Sequence, residues 1–189
     1  MAIDFPTLTF ASVPEFEAWL EAQSGADAGV WMKIAKKESK EQSISAEEAL
    51  GAALCFGWID GQRKSLDGDW FLQKYTPRRA RSRWSKRNTE KVAELIAEGR
   101  MREGGTKEVE RAKSDGRWDA AYAGSATIEI PEDFAAELDA NPDAAAFFAT
   151  LKSSARYAFL FRLHGVKRAQ NRAARIESYI ALLRDGKTL

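Results

Sequence analysis

The feature that most limits the fold of this chain is a hairpin signal in its first half. The run IDGQRKSLDGDWFLQKYTPR, residues 59–78, has strand-like stretches on both sides of Asp67-Gly68. An Asp-Gly pair in this setting is typical of a tight turn between antiparallel strands. Thr76-Pro77 is expected to end the second strand, because proline has no N–H to donate to a strand ladder. The sequence therefore predicts two antiparallel strands joined by a short turn.

Two helices before this hairpin are predicted from capping boxes. Ser12 precedes Glu15 by three residues in FASVPEFEAWLEAQSG, and Ser45 precedes Glu48 by the same spacing in SISAEEALGAALCFGW. Such pairs satisfy the free N–H groups at the start of a helix. A third helix is predicted from SRWSKRNTEKVAELIAEG, because the following residues share one helical face: Trp84, Asn88, Val92, Leu95 and Ile96.

One further strand and a helical C-terminal region are predicted from the rest of the sequence. GVWMKIAKK alternates and predicts a strand with Val30, Met32 and Ile34 on one side, whereas the chain from Pro131 onward predicts three or four short helices. We therefore expect an α+β protein in which a small antiparallel sheet carries packed helices. Its domains are predicted as residues 1–114, the α+β part, and residues 115–189, a helical C-terminal region that packs on it.

Composition excludes several classes of protein. No apolar run reaches the roughly 20 residues of a membrane-spanning helix, so no membrane insertion is expected. The start, MAIDFPTLTF, has neither a basic nor a long apolar region of a secretory signal, which predicts a cytoplasmic location. Cys55 is the only cysteine and His164 the only histidine, too few for a Cys/His metal site. We expect no metal and no cofactor.

Charge is segregated along the chain although the formal total is +1. Residues 74–91 hold eight basic residues and one acidic residue, a net +7, whereas residues 115–143 hold one basic and eight acidic residues, a net −7. Such blocks either pair with each other in the folded protein or create a local field that attracts anions.

Aromatic rings and cations alternate through CFGWIDGQRKSLDGDWFLQKYTPRRARSRWSKRN. Guanidinium forks, ammonium groups and ring faces suit phosphate, carboxylate or nucleobase groups. We predict a concave anion-binding cleft in which arginine forks and a lysine meet the anion, a tryptophan forms one wall and an asparagine orients the ligand. The candidate ligand-binding residues are Trp58, Asp60, Arg63, Lys74, Arg78, Arg79, Trp84 and Asn88.

Structural roles for the same residues stay open. Trp58, Trp70 and Trp84 would then be core residues that the aliphatic stems of the arginines cover. Asp60 would be a turn residue rather than an acid held beside Arg63.

Known catalytic motifs do not occur. The chain has no G-x-S-x-G elbow, no Walker sequence and no Rossmann glycine fingerprint. Gly104-Gly105 lacks their flanking residues and is expected in a loop. Cys55 is expected to be buried as a small hydrophobe rather than to act as a nucleophile. No catalytic residue is predicted, and a non-catalytic role is favoured.

Four motifs resemble the YdeI/OmpD-associated family of bacteriocin-protection-like proteins. They are ALCFGWIDGQRKSLD, KYTPRRARSRWSKRN, LIAEGRMREGG and the terminal RIESYIALLRDGK, and the resemblance extends from Ala18 to Lys187. The family's name speaks of bacteriocin protection and of association with an outer-membrane porin. The resemblance implies no enzymatic activity, cofactor or catalytic residue.

Together these observations predict a non-catalytic cytoplasmic protein that serves in stress or in bacteriocin or antimicrobial protection. It would act by binding a small anionic molecule or a protein partner. A nucleic-acid-binding protein, which is less favoured, and an uncharacterised enzyme that uses the same cleft are the alternatives.

Overall fold

The computed structural model describes residues 5–23, 28–166 and 168–189. The chain divides into two compact units, Met1–Ala121 and Tyr122–Leu189. The first unit holds, in chain order, β1 (Thr7–Leu8), α1 (Val13–Glu21), β2 (Val30–Ala35), α2 (Ala46–Cys55), β3 (Trp58–Ser65), β4 (Trp70–Pro77), α3 (Lys86–Ala97) and α4 (Glu103–Ser114). The second unit holds α5 (Glu132–Asp139), α6 (Pro142–Thr150), α7 (Ser153–His164) and α8 (Ala169–Arg184). The predicted α+β fold class is confirmed.

The strands form one four-stranded sheet in the order β1-β2-β4-β3. Strand β4 is antiparallel to both of its neighbours, and β3 and β4 are the predicted hairpin. The Asp67 carboxylate accepts hydrogen bonds from the N–H groups of Asp69 and Trp70, each at 2.9 Å, and so closes the turn. Strand β1 pairs in parallel with β2, so the sheet is mixed rather than purely antiparallel. Two residues are too few for a periodic signal, and β1 was therefore not predicted.

Helix α2 lies between two hydrophobic clusters of the first unit. Its residues from Ala49 to Cys55 are all buried. On one side Ala49, Ala52 and Ala53 pack with the core face of the sheet and with α1. On the other side, Leu50, Leu54 and Cys55 pack with α3 and α4. From Ala49 onward α2 is apolar on every side, as expected of a helix that packs against neighbours on both sides.

Two expectations for the helical segments after the hairpin are wrong. Ile96 is 50% exposed, because its neighbour Leu95 takes the buried position one residue earlier. The pair Gly104-Gly105 lies in the first turn of α4 rather than in a loop, because α4 begins against the backbone at the end of α2.

Four aromatic rings form the centre of the second unit. Phe134, Phe148, Phe159 and Tyr179 meet edge to face, with centroid separations of 5.6, 6.1 and 5.0 Å along that series. Arg172 pairs with the Asp133 carboxylate, and this hydrogen-bonded ion pair lowers the pKa of Asp133. None of the helices in the described ranges is long and apolar enough to cross a membrane.

Candidate functional site

Trp58 and Trp84, the alternatives for the wall of the predicted cleft, are both buried, and they lie in different clusters. Trp58 is 5% exposed and meets Trp19 edge to face, with ring centroids 5.6 Å apart. Trp84 is 2% exposed, and its ring centroid is 4.9 Å from that of Trp118. The structure therefore does not bring these two rings to one wall.

Arg78 and Arg79 occupy different environments although they are neighbours in sequence. The buried guanidinium of Arg78 lies 3.5 Å from the centroid of the Trp84 ring, and its Nη1 donates to the carbonyl oxygen of Arg83 at 3.2 Å. Arg79 is exposed, and its backbone N–H donates to Ser82 Oγ at 2.9 Å. Only Arg78 is thus part of the packing around Trp84.

Asn88 lies in the first turn of α3 and is buried. Its backbone N–H donates to Ser85 Oγ at 3.2 Å, the hydrogen bond that caps this helix. The predicted orienting residue therefore has a role in the start of α3.

Asp60 and Arg63 lie on β3, the edge strand, on either side of an irregularity in the pairing with β4. Arg63 Nε donates to Gln73 Oε1 at 2.9 Å, and its guanidinium lies over the Phe71 ring at 4.4 Å. Asp60 is directly opposite the buried Tyr75. These contacts bring Asp60 and Arg63 to the same side of the sheet as the hydrophobic core.

The carboxyl group of Asp60 has an unusual electrostatic environment. Although the residue lies at an exposed edge, desolvation by the surrounding protein raises the pKa of its carboxyl group. The guanidinium groups of Arg87, Arg78 and Arg63 act in the opposite direction. Burial also raises the pKa of the Tyr75 hydroxyl, and the Asp60 charge adds to that effect. Desolvation therefore outweighs three nearby cations at Asp60.

Lys74 lies on the opposite face of the sheet from Asp60. Along β2, Val30, Met32 and Ile34 point to the core, so Trp31 and Lys33 take the other face. Between β2 and β4, Trp31 lies opposite Lys74 and Lys33 lies opposite Leu72. Lys64 of β3 lies opposite the same Leu72 from the other side of β4. We call this surface the lysine–tryptophan face, and its residues are Trp31, Lys33, Lys64, Trp70 and Lys74.

On the lysine–tryptophan face the ammonium groups lie over the rings. Lys33 Nζ is 4.2 Å from the centroid of Trp70, and Lys64 Nζ is 4.3 Å from that of Trp31. Lys74 Nζ lies 5.8 Å from the same Trp31 ring and 4.6 Å from the ring of Phe5. These are cation–π distances, so the rings hold the three charges close together above the sheet.

Within the described part of the chain, the positive charges of the three lysines are not compensated by direct ion pairs. Among the residues that the structure describes, no carboxylate lies within salt-bridge distance of Lys33, Lys64 or Lys74. At the described strand positions that have a register partner, this face carries tryptophan, lysine, leucine, isoleucine, alanine or threonine. At these described positions, the charged side chains are the three lysines.

Three cavities lie away from the predicted cleft. One, of about 710 Å³, runs between α5 and α8 in the second unit. Two smaller ones, of about 300 and 160 Å³, lie along α3. None of these three is lined by any of the eight predicted residues. Within the described ranges, no three His, Cys, Asp or Glu residues come together as metal ligands.

The binding residues predicted from the sequence did not include four of the five residues of this face: Trp31, Lys33, Lys64 and Trp70. The alternation of GVWMKIAKK, which predicted the buried side of β2, also places Trp31 and Lys33 together on the other side. The missing information was which strand pairs with β2. Only the pairing with β4 brings Lys74 and Trp70 beside them.

Fold and surface together define an α+β protein with a cationic, aromatic sheet face. Residues 8–108 match the family model described as Domain of unknown function (DUF8412), which covers more than half of the chain. The chain therefore belongs to this family. Residues 127–186 match the family model described as Bacteriocin-protection, YdeI or OmpD-Associated.

The second match confirms the predicted resemblance to the YdeI/OmpD-associated family for that part of the chain. Of the four motifs that carried the resemblance, the terminal RIESYIALLRDGK falls in the matched region except for its last residue, and the other three fall within residues 8–108. No curated protein and no solved structure matches the chain.

Proposed function

We propose that this protein is a non-catalytic binding protein that takes an anionic ligand on the lysine–tryptophan face. The observation that supports this proposal is the set of three ammonium groups held over indole rings without a described carboxylate partner. A surface with one sign of charge raises the local concentration of counter-ions. An anion with several charges gains most, because it meets the three lysines at once.

The rings contribute by ordering the lysines. A free lysine side chain loses rotamer freedom when it binds a ligand, and each such loss costs about 0.5–1.5 kcal/mol of affinity. A cation–π contact at an exposed site is worth about 0.5–1 kcal/mol and already restrains the ammonium group. Trp31 and Trp70 therefore reduce the entropic cost of binding an anion, in addition to any contact that they make with it.

Among the eight residues predicted from sequence, Lys74 is the one that lies on this face. Arg78 and Trp84 pack on each other, and Trp58 is in the core. Asp60 would repel an anion that approached the edge of β3. For these reasons we propose Trp31, Lys33, Lys64, Trp70 and Lys74 as the binding residues.

The description of the family matched at residues 127–186 supports a role in bacteriocin protection. We propose that the protein acts in the cytoplasm and that binding of the anionic ligand is its contribution to bacteriocin or antimicrobial protection. A variant that folds but cannot bind anions should then fail to protect cells that lack the native protein.

Thermal melting with tripolyphosphate tests the binding proposal, because this probe has several charges and no aromatic group. A ligand at a hundredfold excess over its dissociation constant stabilises the folded protein by about 2.7 kcal/mol, so the melting temperature of the native protein should rise. The triple variant Lys33→Gln, Lys64→Gln and Lys74→Gln should lose this rise.

A charge-matched control removes three exposed cations elsewhere in the same unit. The variant Arg79→Gln, Arg81→Gln and Lys86→Gln should keep the rise in melting temperature. Absence of the rise in the native protein, or its loss in the control instead of the lysine variant, would show that the lysine–tryptophan face is not the site.

A further inference from the structure

We infer that the anionic ligand of the lysine–tryptophan face is single-stranded nucleic acid. This inference rests on the proposed function, and it adds a role for the rings as well as for the charges. Phosphate groups would meet the ammonium groups of Lys33, Lys64 and Lys74, while bases would stack on the rings of Trp31 and Trp70. Proteins that hold single strands combine a cationic surface with aromatic platforms in this way.

One face of each ring meets an ammonium group. The ammonium groups of Lys33 and Lys64 lie over ring centroids at 4.2 and 4.3 Å, which requires each ring to present its face rather than its edge to them. A nucleobase uses the same face when it stacks. Trp70 is 9% exposed and Lys33 lies over its ring, so a base reaches that ring only after the lysine moves aside.

The exchange of a lysine for a base is favourable on the ring of Trp31, which is only partly buried. An exposed cation–π contact changes an equilibrium constant by about two- to fivefold. Stacking of one base on an aromatic side chain is worth roughly five- to 150-fold. The displaced ammonium group then meets the phosphate of the same strand. A ligand with both bases and phosphates therefore gains more than a simple polyanion does.

The strand register sets a minimum length for this ligand. Trp31 lies opposite Lys74, whereas Trp70 lies opposite Ala35, four positions further along β2. At about 3.3 Å per residue, the two tryptophans are attached roughly 13 Å apart along the strands. One base does not reach both rings, so an oligonucleotide should bind more tightly than a mononucleotide.

The chemistry of this face also excludes a duplex and predicts little sequence preference. Paired bases are stacked on each other and do not expose their faces to a side chain. At the described positions of β1, β2 and β4, this face carries no amide or carboxylate side chain that would read a base edge by hydrogen bonds. Stacking and charge accept any base, so binding should be sequence-tolerant.

Fluorescence anisotropy with a labelled oligothymidylate tests this inference. If three phosphates are neutralised, the logarithm of the association constant should fall with the logarithm of salt concentration with a slope of about −2. The triple lysine variant should have a slope near zero. Trp31→Leu should weaken binding by about five- to 150-fold at every salt concentration while the slope stays the same. Trp31→Phe keeps a ring and should retain most of the affinity.

The controls separate this inference from the proposed function. Lys113 also lies over a tryptophan, at 5.3 Å from the Trp118 ring, but it belongs to α4, so Lys113→Gln should bind like the native protein. If tripolyphosphate and oligothymidylate both depend on the three lysines and Trp31→Leu changes neither, the ligand is a simple polyanion and the inference is wrong. Equal affinity for a duplex would also overturn it. If neither probe binds, the proposed function is wrong as well.

Discussion

The backbone of α4 meets the backbone of α2 at Gly105, where a Cβ atom would lie 2.2 Å from the carbonyl oxygen of Cys55. The N–H of Arg102 donates to the same oxygen at 3.0 Å. At Gly104 a Cβ atom would lie 2.8 Å from the carbonyl oxygen of Phe56. The glycine pair thus lets the first turn of α4 approach the end of α2 more closely than any side chain permits.

Gly105→Ala should destabilise the protein by about 2–3 kcal/mol, because the obstructing atom is backbone oxygen and cannot rotate away. Helix propensity alone predicts the opposite sign, since alanine is favoured over glycine in a helix by up to about 1 kcal/mol. Urea denaturation of both proteins measures the difference.

Gly51→Ala is the matched control for this prediction. Gly51 lies within α2, and the nearest atom to an added Cβ is Lys91 Cε at 3.9 Å, an ordinary contact. Here alanine should raise the free energy of unfolding by about 0.5–1 kcal/mol. A stabilising effect of alanine at both positions would contradict the close backbone contact.

Arg78→Gln should lower stability, whereas Arg79→Gln should leave it nearly unchanged. Arg78 loses a buried contact with the Trp84 ring and a hydrogen bond to a backbone carbonyl, together worth about 2–3 kcal/mol. Arg79 is exposed, where substitutions usually change stability by less than about 0.5 kcal/mol. Thermal melts of the two single variants without ligand measure this. Equal losses would mean that both arginines belong to the packing.

The thiol of Cys55 should resist modification in the native protein. The residue is fully buried, and desolvation raises the pKa of its thiol, so little thiolate exists at neutral pH. A thiol reagent should react with it only as fast as the protein unfolds. Cys55→Ser should cost about 1–3 kcal/mol, since a hydroxyl in this cluster needs a hydrogen-bond partner. Rapid labelling under native conditions would argue against burial.

Asp60 should make a pH-dependent contribution to stability with an unusual sign. Its pKa in the folded protein is raised, chiefly by desolvation, above the value of about 3.9 in the unfolded chain. The folded state therefore binds the proton more tightly, and this contribution is full below about pH 3.9 and is lost as the pH rises through the folded pKa.

The free energy of unfolding of the native protein minus that of Asp60→Asn should thus fall with rising pH and then level off. Urea denaturation of both proteins between about pH 3 and pH 7 gives this difference. A difference that grows with pH would mean that attraction to Arg63, Arg78 and Arg87 dominates over desolvation.

Local signals in the sequence predicted the hairpin, strand β2 and the helices α1 to α3, but not the short strand β1. The Asp67-Gly68 turn, the capping box of Ser45 and Glu48, and the alternation of β2 each depend on residues a few positions apart. These interactions form within one segment, so their pattern is visible along the chain. The burial of Cys55 followed from its apolar neighbours in the same way.

The arrangement of the candidate site depended on contacts between distant segments. The sequence placed Trp31 and Lys33 on one side of a strand and Lys74 near a turn, but only the pairing of β2 with β4 brings them together. Tertiary packing also buries Arg78 against Trp84 while its neighbour Arg79 stays exposed. It likewise places Gly104-Gly105 in a helix, where their backbone contacts the end of α2. Periodicity shows which face of a strand or helix a residue occupies. Which other face it meets is determined by the free energy of packing the whole chain, because that choice involves burial of surfaces far apart in sequence.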